Sequence, residues 1–183
     1  MPFFTRTGDN GETNLFNGER ISKNSQRMSV EGNLDELNSL IGLAIAQIKN
    51  ESVKEILLQV QNDIFIIGSE IATPEKEKVS YKVPEITADH VRRIEDFTNK
   101  IGNQLEPLQK FILPGGTVNA ALFHTIRAVC RRAERSIVAL AENEKINGEI
   151  LKYCNRLSSL FFVLARIENK NSNVRDIEWD SRL

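Results

Sequence analysis

Five stretches of this chain repeat an apolar residue every three or four positions, and no other pattern restricts its fold as strongly. The clearest stripe is Val53, Leu57, Val60, Ile64, Ile67 and Ile71, a heptad-like row that one face of a helix would bury. An earlier helical pattern begins at about Ser29 and carries Leu34, Leu37, Ile41, Ala44 and Ile48. Thr87 is a good N-cap for a third helix with Val91, Ile94 and Phe97 on one face, and Gly102 and Pro107 mark its exit. A fourth is expected from about Asn119 to Asn143, striped by Ile126, Cys130, Ala133, Ile137 and Leu140. The fifth spans about Ile146 to Lys170, with Ile150, Cys154, Leu157, Phe161 and Leu164.

Between the stripes stand breaks: Pro74 and the charged run 75–82, then Leu113-Pro114-Gly115-Gly116-Thr117. Strand-like alternation is weak everywhere except at 3–6 and 13–16. Helices of these lengths on short connections predict an all-α, antiparallel five-helix bundle. Spacing close to 3.5 favours near-parallel packing over crossed packing. At 183 residues the chain reads as one domain: a turn-rich segment at 1–26, the bundle at 27–170 and a C-terminal tail at 171–183.

A formal net charge of -1 gives no whole-molecule reason to expect nucleic acid or an anionic membrane as partner. No apolar run approaches the roughly 20 residues of a membrane span, and Met1 to Arg6 does not read as a secretory signal. Cys130 and Cys154 fall on apolar stripes, so buried reduced thiols are favoured over a disulfide. A cytoplasmic protein is expected. Neither His90 nor His124 follows a glutamate by three residues, which removes a di-iron bundle, and no paired Cys/His spacing suggests zinc.

With so small a net charge, any anion site must come from local clustering. The fourth helix supplies one: Arg127, Arg131, Glu134 and Arg135 share a face, Arg132 flanks them, and His124 extends the row one turn earlier. Arginine forks suit phosphate or carboxylate, so an anion site or an ion-pair network stands beside a plain solvated face as a reading. The segment Thr5-Arg6-Thr7-Gly8-Asp9-Asn10-Gly11-Glu12-Thr13 offers glycines and hydroxyls that can turn donors toward an anion. It matches neither a Walker A nor a dinucleotide fingerprint, and on composition alone a simple hairpin turn is the favoured reading. Asp35, near the start of the first helix, is explained by the helix dipole or by an arginine of another helix or subunit.

Taken together, T-R-T-G-D-N-G-x-T (5–13), G-N-L-D-E-L-N-S (32–39), F-I-L-P-G-G (111–116), R-A-V-C-R-R-A-E-R (127–135) and Y-C-N-R-L-S-S-L-F-F-V-L-A-R (153–166) resemble one family. It is the propanediol-utilisation class of ATP:cob(I)alamin adenosyltransferases, matched in order over nearly the whole chain. The resemblance implies a homotrimer with active sites between subunits, in which ATP donates its 5′-deoxyadenosyl group to cob(I)alamin. It implies that Thr5, Arg6, Thr7, Gly8, Thr13, Asn14 and Lys23 contact ATP, with Gly11 shaping the loop. Arg131, Arg132, Glu134, Arg135 and Asn155 would complete the nucleotide site, with Glu134 also a candidate magnesium ligand.

Asp35 and Arg127 match a pair that bridges subunits and supports corrinoid binding, and Phe111 an aromatic set against the lower face of the corrin. Arg6 stands where lysine is common in the family, and Asn14 where the family varies. A cob(II)alamin reductase and an adenosylcobalamin-dependent mutase would be functional partners. A fold-sharing ATP- and corrinoid-binding chaperone or sensor without turnover is the alternative.

Overall fold

The computed structural model describes residues 4–74 and 79–180. The expectation for a strand at 3–6 falls partly outside them, at residue 3; Thr5 and Arg6 form no strand. The chain runs β1 (Glu12–Asn14), β2 (Arg20–Ser22), α1 (Gln26–Gln47), α2 (Glu51–Ile71), α3 (Ala88–Gly102), α4 (Val118–Ala141) and α5 (Gly148–Asn171). The protein is therefore predominantly helical, with five helices and one two-stranded sheet among the described residues.

Every apolar stripe position foreseen for the five helices is buried, except Phe97, which is half-buried against the same core. α4 lies centrally, packed against α1 and α5; α5 also carries α3, and α1 also carries α2. Local chemistry sets the helix starts. Ser25, Asn50, Thr117 and Asn147 each accept a backbone N–H of the first turn, at 3.3, 3.3, 3.1 and 3.0 Å. Ser25 begins α1 at Gln26, three residues before the expected start at Ser29. Thr87 precedes α3, where its N–H donates to His90 Nδ1 at 3.1 Å.

Two polar clusters tie the helices to one another. Asp63 of α2 is buried, and its carboxylate accepts from Arg93 of α3 at 2.7 and 2.6 Å and from Tyr153 Oη of α5 at 2.8 Å. Burial, then Asp63, push the Tyr153 hydroxyl well above the ordinary phenol range, so it remains a donor. At one end of the bundle the buried Arg27 of α1 donates to Ile71 O and to Glu144 in the α4–α5 connection. The two cysteines are free and buried, with Cys130 Sγ donating to Cys154 O at 3.5 Å.

The strands are placed differently from the expectation at 13–16. β1 and β2 pair antiparallel, Thr13 opposite Ile21, around the turn at Asn17-Gly18. Their pairing follows polar contacts rather than apolar alternation: Arg20 donates to Glu12 at 3.0 Å and to Asn14 at 3.2 Å. Phe16 N–H donates to Ala72 O at 3.2 Å and moors the hairpin to the end of α2. No helix of the described residues is long and apolar enough to cross a membrane.

Candidate functional site

The N-terminal loop is a compact structure built on this hairpin. Arg6 holds a left-handed backbone at φ 62°, a conformation that side-chain-bearing residues adopt at a cost, and its guanidinium lies over Phe4 at 5.5 Å. Gly11 turns the chain at φ 81° into β1. Lys23 Nζ donates to Gly8 O at 2.9 Å, and Arg20 Nη2 to Thr7 O at 3.0 Å. The Thr5 and Thr7 hydroxyls sit 2.9 Å apart. Thr5, Arg6, Thr7, Gly8, Thr13, Asn14 and Lys23 thus form one patch, with two cations drawn onto its carbonyls. Arg20 belongs to it as well. Sequence reasoning passed over Arg20, and the only signal was its cross-strand place opposite Asn14.

On α4 the arginines divide by environment. Arg131 and Arg135 are exposed and make no hydrogen bond or ion pair among the described residues. Arg132 is occupied: it donates to Asn33 Oδ1 at 3.2 Å and pairs with Glu36, both on α1. Glu134 Oε1 accepts from Asn155 Nδ2 at 3.2 Å, and Asn155 Oδ1 in turn accepts from Arg156 at 2.6 Å. That chain orients the Glu134 carboxylate beside the arginines and adds Arg156, another residue passed over in the sequence.

His124 does not extend the cationic row. It is buried at 5% exposure against Phe162, with neither ring nitrogen bonded. Burial, then Arg127, pull its pKa below the ordinary value, so it remains uncharged, against a smaller opposing pull from Asp176. The step from 124 to 127 turns the side chain inward, onto α5.

Arg127 is half-buried, its guanidinium 6.0 Å from the Phe162 ring. It lines a cavity of about 610 Å³ with Leu108, Phe111 and Phe162. Phe111 is 79% exposed, a large apolar ring held out in solvent. Asp35 faces elsewhere, into a cavity of about 440 Å³ between α1 and α2 lined also by Phe16, Glu31 and Phe65. Burial, the largest cause, raises Glu31 there to about 7, with Arg27 on the same helix opposing the rise and Asp35 adding to it.

Within one chain these groups remain in separate places. Among the described residues, no hydrogen bond or ion pair joins the 5–23 segment to the α4 arginines, or Asp35 to Arg127. Taken separately, the cationic loop and the cationic helix face each suit a polyanion, and the aromatic-edged cavity suits a large, partly apolar ligand.

Comparison with known proteins places the chain in a family. Residues 3–168 match the family model described as cobalamin adenosyltransferase. The chain belongs to the cobalamin adenosyltransferase family. It is 40% identical over 185 residues to the corrinoid adenosyltransferase of Bacillus subtilis, covering 98% of this chain and 93% of that one. It is 42% identical to the cobalamin adenosyltransferase of Cupriavidus metallidurans, covering 96% and 92%. Among solved structures, a phenylalanine-to-alanine variant of a PduO-type ATP:corrinoid adenosyltransferase from Lactobacillus reuteri, complexed with cobalamin and ATP, superposes with TM-score 0.91 at 33% identity. That match covers 98% of this chain and 100% of the other. Membership of the cobalamin adenosyltransferase family thus extends over the loop, the arginine helix and the Phe111 segment together.

Proposed function

We propose that this chain transfers the 5′-deoxyadenosyl group of ATP to the cobalt of cob(I)alamin, giving adenosylcobalamin and triphosphate. The observation that carries the reading is the presence in one chain of the unbonded Arg131 and Arg135 on α4 and of a donor-rich loop, in a chain whose relatives are corrinoid adenosyltransferases. The solved relative holds both cobalamin and ATP.

Cob(I)alamin is a strong nucleophile in its own right, so no protein base or covalent residue is needed. The chain's work is alignment of cobalt, C5′ and the leaving oxygen, and stabilisation of the charge growing on triphosphate. Arg131 and Arg135, unbonded in the chain, are free to meet phosphate oxygens; Arg132 would exchange or share its α1 partners. Thr5, Arg6, Thr7, Gly8, Thr13, Asn14 and Lys23 supply the loop side of the ATP site. Lys23 must then leave Gly8 O or contact phosphate from beside it.

Asn155 holds Glu134 in place, either to orient an arginine or to reach magnesium. One half-buried carboxylate fits magnesium that arrives on the triphosphate, held mainly by phosphate oxygens and water, where it would offset negative charge. Phe111 meets the lower face of the corrin and displaces the lower axial ligand, which makes Co(II) easier to reduce.

The separation of loop from helix face, and of Asp35 from Arg127, supports a homotrimer of antiparallel bundles whose sites lie between subunits. There Asp35 of one copy reaches Arg127 of the next. The protein acts in the cytoplasm, receiving electrons through a cob(II)alamin reductase and passing product to an adenosylcobalamin-dependent mutase.

The test is anaerobic incubation with ATP, magnesium and chemically reduced cobalamin, followed by the visible spectrum. Appearance of light-sensitive adenosylcobalamin with equimolar triphosphate is expected. Binding of both ligands without product would mark a chaperone or sensor and end the enzymatic reading.

A further inference from the structure

An exposed phenylalanine on a loop ordinarily samples several orientations, yet Phe111 is held from behind. Its carbonyl accepts Trp179 N–H at 2.7 Å, and Leu113 N–H donates to Ile177 O at 2.8 Å. Ile112 and Glu178 form an antiparallel bridge, and Lys110 Nζ pairs with Glu178 at 2.9 Å. The indole of Trp179 stands edge-on to the Phe111 ring, centroids 6.4 Å apart at 61°.

The segment that provides these contacts is itself anchored. Asp176 accepts from Arg166 Nε at 2.9 Å and from Asn169 Nδ2 at 3.0 Å, and Val174 N–H donates to Asn169 O at 2.9 Å. Arg166 and Asp176 are mostly buried, at 12% and 17% side-chain exposure. Rigidity therefore passes from α5 through Asp176 to residues 177–179 and on to Phe111. Nothing in the resemblance or in the proposed reaction assigns these C-terminal residues a part.

We propose that Trp179 is a positioning residue for Phe111: the segment 176–179 fixes the ring at the edge of the Arg127–Phe162 cavity in the orientation that meets the corrinoid. The proposal rests on the reading of Phe111 as the residue that displaces the lower axial ligand. Trp179 touches Phe111 and acts through it.

The experiment compares wild type, Trp179→Ala, Trp179→Phe, Phe111→Ala and the double alanine variant, all as full chains. Turnover, KM for ATP and for cobalamin, and the visible spectrum of bound cob(II)alamin with ATP are measured. Trp179→Ala is expected to lower kcat and the fraction of cob(II)alamin freed of its lower ligand by roughly three- to tenfold, about the worth of an aromatic pair. KM for ATP stays unchanged, and Trp179→Phe recovers most of the loss. In the Phe111→Ala background, Trp179→Ala adds nothing further.

Because Trp179 is the single tryptophan of the chain, its fluorescence should also be quenched by added cobalamin in the wild type. Losses that add in the double variant, a wild-type spectrum in Trp179→Ala, or an equal rise in KM for ATP would overturn the proposal. A wild type that forms no adenosylcobalamin overturns the assigned reaction and this inference with it, whereas an active wild type with additive losses overturns the inference alone.

Discussion

Gly116 is where the chain should tolerate substitution least. Its φ of +104° is a region that side-chain-bearing residues rarely adopt, and a Cβ there would fall well inside contact with the Asn169 amide. Asn169, 2% exposed, accepts from Thr117 N–H at 2.9 Å and donates to Gly115 O at 3.1 Å and Asp176 at 3.0 Å. The same amide thus holds the start of α4, the loop after Phe111 and the C-terminal segment. Backbone strain costs about 1–3 kcal/mol. Displacing the amide forfeits hydrogen bonds worth about 1 kcal/mol each net.

Gly116→Ala is therefore expected to lose about 3–5 kcal/mol, a fall in Tm of roughly 6–20 °C for a chain of this size. Urea unfolding at fixed protein concentration measures it. Asn169→Ala separates the two terms, because the three nearest atoms a Gly116 Cβ would meet belong to the Asn169 side chain. In that background Gly116→Ala should cost only the strain, leaving a coupling of about 2 kcal/mol. A Gly116→Ala loss under about 1 kcal/mol, or additivity within about 0.5 kcal/mol, would refute the account.

Two further outcomes follow from the site. Burial raises Glu31 from 4.5 to about 7, so between those values the native state keeps a proton that the unfolded chain has lost, and stability falls as pH rises. Glu31→Gln should flatten that slope and stabilise the protein at pH 8 by up to about 3 kcal/mol; urea melts at pH 4, 6 and 8 that match wild type would count against it. Arg131→Ala should lower kcat by roughly a hundredfold or more, with Arg131→Lys intermediate because it keeps charge without the fork. Unchanged single-turnover rates would remove Arg131 from the reaction.

The helices were legible because each buries a regular stripe, and Thr87, Pro74 and Pro114-Gly115-Gly116 are local stop and start signals. What escaped the sequence depends on partners distant along the chain. The bond between Leu113 and Ile177, and the hub at Asn169, leave no periodic trace. Strands of three residues held by Arg20 lack the apolar alternation that reveals longer ones. Asp63, Arg93 and Tyr153 looked like ordinary helix residues, since burial and partners are properties of packing. For the site, residue types and spacing placed the arginines on α4, but only the folded chain separates the unbonded Arg131 and Arg135 from the committed Arg132 and the inward His124.

The absence of any bond between the loop and the α4 face within one described chain has a genetic consequence. If each site takes its loop from one copy and its arginines from the next, two differently damaged chains can repair each other. A chain lacking Arg131 and a chain lacking the loop are each inert alone. Mixed during assembly in equal amounts, about a quarter of the interfaces would pair an intact loop with an intact helix. Activity regained on co-expression, but not on mixing separately assembled proteins, would be the signature of a site shared between neighbours.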